Sequence, residues 1–208
     1  MIDESVIFKQ SSFYEKNIKF FSLNLDKLLK KKKLNSKNLS ILDYGCGNCL
    51  LHKYIKFKKI FLFDIDSKYY DYLFLKNVKK FKNFNEIIEN KKKFNLILVN
   101  SVIQYIEPEK LEKICKDLYS KLNKNGLIII SDIPAKSRFL EIFSSANLIY
   151  SLKTIVYFIA KPKYFNLQYF IYPKKILSNI IKRKKYKFEF LDNLNISKSR
   201  YTLVIKKN

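Results

Sequence analysis

Five short apolar runs lie along the chain, each bounded by turn-forming or charged residues: LSILDY (39–44), KIFLFD (59–64), FKNF (81–84), NLILVN (95–100) and GLIIISD (126–132). Most are continuous rather than alternating, the pattern of strands buried on both faces. Between them stand segments with three-and-four spacing. SSFYEKNIKFFSLNLDKLLKKKK places Phe13, Phe20, Leu23 and Leu28 on one side and ends in lysines, so the first 36 residues read as helix with Ser11 or Ser12 as cap. CLLHKYIKF reads as a helix, and SKYYDYLFLKN as another capped by Ser67. PEKLEKICKDLYSKLNKNG (108–126) has Pro108 in its first turn, an apolar face of Leu111, Ile114, Cys115, Leu118 and Leu122, and Gly126 to close it.

Strand and helix alternate, which predicts a parallel sheet covered on both faces. The pattern then changes. Residues 136–172 are rich in Phe, Tyr, Leu and Ile without a period and read as a helical cap inserted after the fifth strand. PKKILSNIIKRKK (173–185) resumes as helix, and its Lys/Arg run 182–185 reads as a solvated end. KFEFLDN and RYTLVIKK close the chain as a strand pair joined by LNISKS. The expectation is one domain over 1–208, with 1–36 as an N-terminal lid and 136–172 as the cap.

Composition changes this picture little. The 208 residues are 48% hydrophobic and 16% aromatic, enough for one sizeable core. No apolar leader opens MIDESVIFKQ. The longest apolar stretch, LIYSLKTIVYFIA (148–160), is broken by Lys153 and falls short of a membrane span. A cytoplasmic location is expected, with weak membrane-surface contact through 148–160 left open. The net charge of +24 points to anionic partners. Only three of the 42 basic residues are arginine (Arg138, Arg183 and Arg200), and the lysines are spread along the whole chain. A phosphate-gripping surface would favour arginine, so a solvated lysine coat and codon bias account for the charge, with a nucleic-acid partner as the alternative.

The chemistry concentrates in ILDYGCGNCL (41–50). A buried strand, then Gly45-x-Gly47, then a helix sets backbone N–H groups and a helix start against a polar ligand. Asp64 ends the next strand, where a carboxylate accepts both hydroxyls of a ribose. The site therefore asks for a nucleoside. Leu50 stands where the dinucleotide fingerprint needs its third glycine, and no Gly-Lys-Ser/Thr follows for a phosphate loop. Cys46 and Cys49 form Cys-x-x-Cys, yet no second ligand pair accompanies them, so neither metal nor redox work is expected. His52, the only histidine, reads as structural.

What remains is Asp-x-Gly-x-Gly-x-small, carried by Asp43, Gly45, Gly47 and Cys49. This resembles the first motif of class I S-adenosylmethionine-dependent methyltransferases. FLFDID (61–66), FNLILVNSVIQYI (94–106) and LYSKLNKNGLIIISD (118–132) are similar, in order, to later motifs of that family. The resemblance implies an α/β, three-layer Rossmann-like methyltransferase fold: a mostly parallel seven-stranded sheet with an antiparallel last strand. It implies S-adenosylmethionine as cofactor. Its methionine end would lie over Gly45, Cys46 and Gly47 near Asp43, its ribose on Asp64, and its adenine on Ile65. Asn83, Phe84 and Asn85 are candidates for the adenine edge, and Asn100 and Ser101 for the fourth-strand contact. Cys49 replaces the family's usual third glycine, and Asn95 an aspartate common at the fourth strand's start.

On the same sheet edge, Asp132 reads as a base or substrate contact, or equally as a turn residue. Gln104 and Tyr105 are candidates to line the methyl-transfer pocket, with Tyr105 equally a core residue, and Tyr14 is a candidate lid over the cofactor. The expected function is methyl transfer to a small-molecule or carbohydrate-type acceptor. IIISDIPAKSRF and SRYTLVIKK loosely resemble methyltransferases found with bacterial surface-glycan genes. The rival readings are an RNA methyltransferase and a non-catalytic partner subunit of the same fold.

Overall fold

The computed structural model describes residues 12–66, 75, 78–135, 170–183 and 185–208, with the side chains of residues 12 and 13 left aside. Helix α1 spans Ser12–Lys31, and a one-turn helix at Ser36–Asn38 leads into β1 (Ser40–Tyr44). There follow α2 (Leu51–Tyr54), β2 (Lys59–Phe63), β3 (Lys79–Phe81), α3 (Phe84–Glu89) and β4 (Phe94–Asn100). A second one-turn helix at Ile103–Tyr105 precedes α4 (Pro108–Ser120) and β5 (Leu122–Pro134). After the cap segment come α5 (Lys174–Arg183), β6 (Lys187–Asp192) and β7 (Arg200–Lys206).

The seven strands form one sheet in the order β3-β2-β1-β4-β5-β7-β6. All pairs among β1 to β5 are parallel, and β7 runs antiparallel to both of its neighbours. This is the sheet expected from the sequence. The order reverses direction after β1, so β1 and β4 part at their carboxyl ends and open a crevice there.

The continuous apolar runs resolve into two faces once the pleat is applied. Ile41, Leu96, Leu98, Leu127, Ile129 and Val204 meet Ile18, Phe21, Leu25 and Leu29 of α1 with Leu51 of α2. Leu42, Ile97, Val99, Ile128, Ile130 and Leu203 meet Leu111, Cys115 and Leu118 of α4 with Leu177 and Ile181 of α5. Neighbouring positions along one strand thus pack against different helices, which is why no alternation is visible in the sequence.

Four expectations are corrected. The helix expected over 108–126 stops at Ser120. Lys121 and Leu122 pair with Phe94 instead, through Phe94 N–H to Lys121 O at 2.8 Å, and Asn125 turns the chain at φ +61°. Gly126 therefore sits inside β5: a Cβ there would lie 2.9 Å from Asn123 O and 3.1 Å from Phe94 O. The helix after the glycine loop is a single turn, because Ile55 is already extended (φ −130°, ψ 130°) and Lys58 N–H bonds Leu39 O to begin β2. The third strand is Lys79–Phe81, ending before Asn83. Asn83 caps α3, accepting from Glu86 N–H at 3.0 Å while Glu86 accepts from Lys82 N–H at 2.9 Å. The Asn83 cap is legible in the sequence as Asn three residues before Glu. Finally, the last residues of the 136–172 segment are not helical: Phe170 N–H bonds Gln104 O and Tyr172 N–H bonds Pro134 O, laying this stretch along the carboxyl edge.

The helix capped by Ser67, the cap over 136–169, Lys184 in the basic run, and Ser11 lie outside the described residues. Among the described residues no helix is long and apolar enough to cross a membrane.

Candidate functional site

The turn after β1 is held open by its own backbone. Gly45 and Gly47 lie at φ +79° and +50°, where a side chain is strained. Cys49, standing where a third glycine is usual, takes the same left-handed region at φ +59°. The turn is pinned to β2: Gly45 and Cys46 both donate to Phe63 O, at 2.7 and 3.1 Å. A Cβ on Gly45 would meet Val102 Cγ2 at 2.2 Å, so the exit of β4 packs directly on the turn. A Cβ on Gly47 would meet nothing within 4 Å.

Asp64 is turned toward this loop. Its Oδ2 accepts from Gly47 N–H at 2.8 Å and its Oδ1 from Asp66 N–H at 3.1 Å. Burial pushes its carboxyl above the ordinary range, and the two amides oppose that. Ile65 beside it is 96% exposed, an apolar side chain on the surface at a strand end. Phe84 stands edge-on to Tyr44 at 5.8 Å, and Asn85 is exposed. Asn83, one candidate for the adenine edge, uses its amide oxygen as a helix cap.

Asp43 is buried on β1, and its Oδ2 accepts from His52 Nε2 at 2.8 Å. The sequence reading separated these two residues; the one-turn α2 brings them together. Cys46 and Cys49 share a thiol hydrogen bond, which together with burial pushes the Cys46 pKa well up. A thiol held protonated is a poor metal ligand or redox nucleophile. Tyr14 on α1 donates to Asn48 Oδ1 at 3.4 Å, so α1 does reach over the glycine loop, and burial pushes the Tyr14 hydroxyl up and keeps it a donor.

At the carboxyl ends of β4 and β5, Ser101 and Asp132 both adopt positive φ, +58° and +64°. Two adjacent non-glycine residues in this region are held by their surroundings. Ser101 N–H bonds Ser131 O at 3.1 Å, and Ser101 Oγ donates to Asp132 Oδ2 at 2.7 Å. Arg200 donates to the same Oδ2 at 2.8 Å, and Asn193 Nδ2 to Oδ1 at 3.0 Å. Asn193 Oδ1 in turn accepts from Asp132 N–H at 3.2 Å. Both carboxylate oxygens accept hydrogen bonds, so the Asp132 carboxylate ties β5 to β7 and its loop.

Gln104 stands one turn after β4. It is buried, donating to Ser101 O at 2.7 Å, and so supports the β4 exit from beneath. Tyr105 is 53% exposed on the same edge and is not core. Sequence reasoning missed Arg200, Asn193, Asn195 and the His52 partner. Arg200 did carry a signal: in a chain that uses mostly lysine, an arginine marks a place where a planar cation meets a carboxylate, and here Arg200 Nη1 donates to both Asp132 Oδ2 and Asp132 O.

No curated protein matches the sequence. A methyltransferase-domain family model matches residues 11–167. Among solved structures, the chain is similar to an S-adenosylmethionine-dependent methyltransferase from Clostridium acetobutylicum, with TM-score 0.66, 13% identity, and 99% of this chain and 96% of that one covered. It is similar to a plantazolicin methyltransferase with a desmethyl analogue and S-adenosylhomocysteine bound, with TM-score 0.69, 14% identity and 99% and 91% covered. A third is the magnesium protoporphyrin IX methyltransferase of Synechocystis with S-adenosylhomocysteine bound, with TM-score 0.63, 13% identity and 96% and 89% covered. With the family model spanning most of its length and the sheet order in agreement, the chain belongs to the class I S-adenosylmethionine-dependent methyltransferase family.

Proposed function

We propose that this protein transfers a methyl group from S-adenosylmethionine to a small-molecule or carbohydrate-type acceptor. The observation that carries the cofactor's place is the facing of Asp64 and the bare Gly45–Gly47 turn, 2.8 Å apart at Gly47 N. The Gly45–Gly47 turn beneath α1 would hold the methionine end of S-adenosylmethionine, and Asp64 would accept its ribose hydroxyls. Ile65 would cover one adenine face, and Phe84 and Asn85 would stand at the adenine edge. Asn100 and Ser101 flank the turn from β4.

The cofactor supplies an electrophilic methyl on a sulfonium. Transfer disperses that charge rather than creating one, so placement and exclusion of water account for most of the rate. The chain's part is to hold the acceptor in line. Tyr105 on the carboxyl edge, with the Ser101–Asp132–Arg200 network fixing the backbone behind it, is the side chain best placed to touch the acceptor. Asp132 positions this edge and takes no proton.

Two similar structures support a small-molecule acceptor by the acceptors in their names, a porphyrin and plantazolicin. The lysines bear on RNA. Lys59 opens β2, Lys79 opens β3, Lys91, Lys92 and Lys93 lead into β4, and Lys206 closes the antiparallel β7, all exposed at the amino edge of the sheet. A polyanion held by these lysines lies at the end opposite the cofactor turn, whereas Lys174, Lys175 and Lys198 are exposed at the carboxyl edge, so the lysines do not single out an RNA-binding face beside the site.

Calorimetry with S-adenosylmethionine tests the cofactor site. Binding is expected to be lost in Gly45→Arg combined with Asp64→Ala, and binding that persists refutes the site. Transfer of labelled methyl to cell extract, separated by size, tests the acceptor class. Label in low-mass or glycan fractions is expected; label in RNA alone overturns this reading.

A further inference from the structure

The two edges of the sheet differ in charge. Acids gather at the carboxyl edge: Asp43 and Asp132 near the ends of β1 and β5, Asp64 after β2, Asp192 at the end of β6, and Glu107 and Glu109 where α4 begins. At the amino edge nearly every segment arrives with lysines. Residues 30–33 run out of α1, 58 and 59 lead into β2, and 91–93 lead into β4. Lys182 and Arg183 end α5, Lys187 opens β6 and Lys206 closes β7. Among the described residues the acids near this edge are few. Asp26, Glu189 and Glu112 are paired with Lys30, Lys32 and Arg183, leaving Glu89 on α3 and Asp117 on α4.

The crowding of cations works against the fold. Lys187 and Lys206 stand directly opposite each other in the β6–β7 pair, where like charges repel. Lys121 and Lys207 turn their ammonium groups onto backbone carbonyls, Asn90 O at 2.6 Å and Leu122 O at 3.0 Å. Burial lowers the pKa of both, and the charge of Lys93 lowers it further. Lys58, Lys59, Lys91 and Lys93 are exposed and have no ion pair among the described residues. Codon bias spreads lysine along a chain and does not choose an edge. Helix C-termini favour cations, which accounts for the ends of α1 and α5 but not for the lysines that lead into β2, β4 and β6. A positive field kept across the width of a sheet suits an extended anionic surface.

We propose that the amino edge of the sheet is an electrostatic docking face for an anionic phospholipid surface, holding the protein with its glycine turn directed away from the bilayer. Three features favour lipid. Seven strands at about 4.8 Å spread these lysines over about 30 Å as a rim rather than a groove. The cations are lysines with a single arginine, point charges suited to a field of headgroups rather than forks that grip a nucleic-acid phosphate. Among the described residues, the exposed large apolar side chains are Phe20 and Leu23 on α1, and Ile65, Tyr105, Ile171 and Ile176 toward the carboxyl edge. The amino edge thus offers no platform on which bases would stack. It also has no apolar wedge to insert, so attachment is by charge alone and reversible, each lysine near the surface adding about fivefold to affinity. Docking by this edge does not depend on where the cofactor lies.

Co-sedimentation of the full-length protein with vesicles tests this. Vesicles of phosphatidylcholine with about one-third phosphatidylserine are compared with phosphatidylcholine alone. Two variants of equal net charge accompany the wild type. One combines Lys59→Gln, Lys91→Gln and Lys206→Gln at the amino edge; the other combines Lys174→Gln, Lys175→Gln and Lys198→Gln at the carboxyl edge. All six side chains are exposed, so both variants are expected to melt with the wild type. The wild type is expected to bind the anionic vesicles, to leave the neutral ones in solution, and to be released as salt is raised. The amino-edge variant is expected to lose about 100-fold in affinity, and the carboxyl-edge variant less than about fivefold. Equal loss in the two variants overturns the proposal, because total charge rather than an edge then decides. A wild type that ignores anionic vesicles, or binds neutral ones as well, overturns it too. Duplex RNA that strips the protein from the vesicles at equal phosphate concentration overturns lipid in favour of nucleic acid.

Discussion

His52 Nε2 lies 2.8 Å from Asp43 Oδ2, with neither residue in contact with bulk water. A carboxylate can only accept, so Nε2 carries the proton. The pair locks α2 against β1 directly beneath the glycine turn. Removing one partner of a buried polar pair leaves the other without compensation, at a cost of about 3 kcal/mol. His52→Ala is therefore expected to lower the unfolding free energy by that amount, read in urea as a lower midpoint with an unchanged denaturant slope. A loss under about 1 kcal/mol shows the pair to be idle.

Asp64 makes opposite predictions for stability and for binding. Burial raises its folded carboxyl above the ordinary aspartate range, with Gly47 and Asp66 amides opposing. The folded protein thus holds a proton that the unfolded chain has released, and the unligated protein loses stability as pH rises through that interval. Ribose hydroxyls donate to the ionised form, so affinity for S-adenosylhomocysteine is full above the raised value and falls as pH drops through it. Asp64→Asn sets its amide N–H₂ against the Gly47 or Asp66 N–H, so it should lose about 1–2 kcal/mol of stability at pH 7 and bind about tenfold or more weakly. Its affinity should not vary across the acid range. A wild-type affinity that is flat with pH through that range contradicts the assignment.

The fold was legible because both halves of its signal are local. Continuous apolar runs mark doubly covered strands, and Gly45, Gly47 and Asp64 mark the turn after β1 and the strand end that faces it. What the sequence hid are contacts between segments far apart. Asn193, Asn195 and Arg200 lie in or beside a polar loop whose composition marks only a turn; their roles exist only because β7 lies against β5. Asp132 looked chemically active for the same reason: a carboxylate at a strand end is open until Arg200 and Asn193 arrive from some 60 residues downstream. The end of α4 was misread because Gly126 serves a close backbone approach inside β5, a use indistinguishable in sequence from a helix stop.

Cys49 separates strain from packing. At φ +59° its backbone favours glycine by about 1 kcal/mol, while its buried side chain fills space of similar worth. Cys49→Gly is expected to stay within about 1 kcal/mol of wild type and to keep cofactor binding. Cys49→Val adds a branched side chain where φ is positive and should lose about 2 kcal/mol or more, together with binding. Equal tolerance of both substitutions in thermal melts, with titration alongside, shows that the turn does not hold this conformation in solution.

Asp132 and Arg200 give the last test, because a base and an anchor fail differently. A base replaced by its amide keeps the fold and loses turnover. An anchor replaced by its amide loses the ion pair: Asp132→Asn sets an amide N–H₂ against Ser101 Oγ, Arg200 or Asn193, all of them donors in the wild type. The pair is largely buried, with side-chain exposures of 16% for Arg200 and 11% for Asp132, so the loss should be about 2–3 kcal/mol. Arg200→Ala should destabilise by a similar amount, and the double variant by less than the sum, since each substitution removes the same contact. Turnover in Asp132→Asn, measured well below its melting temperature, should fall by less than tenfold. A drop of 10³-fold or more with stability intact makes Asp132 the base after all.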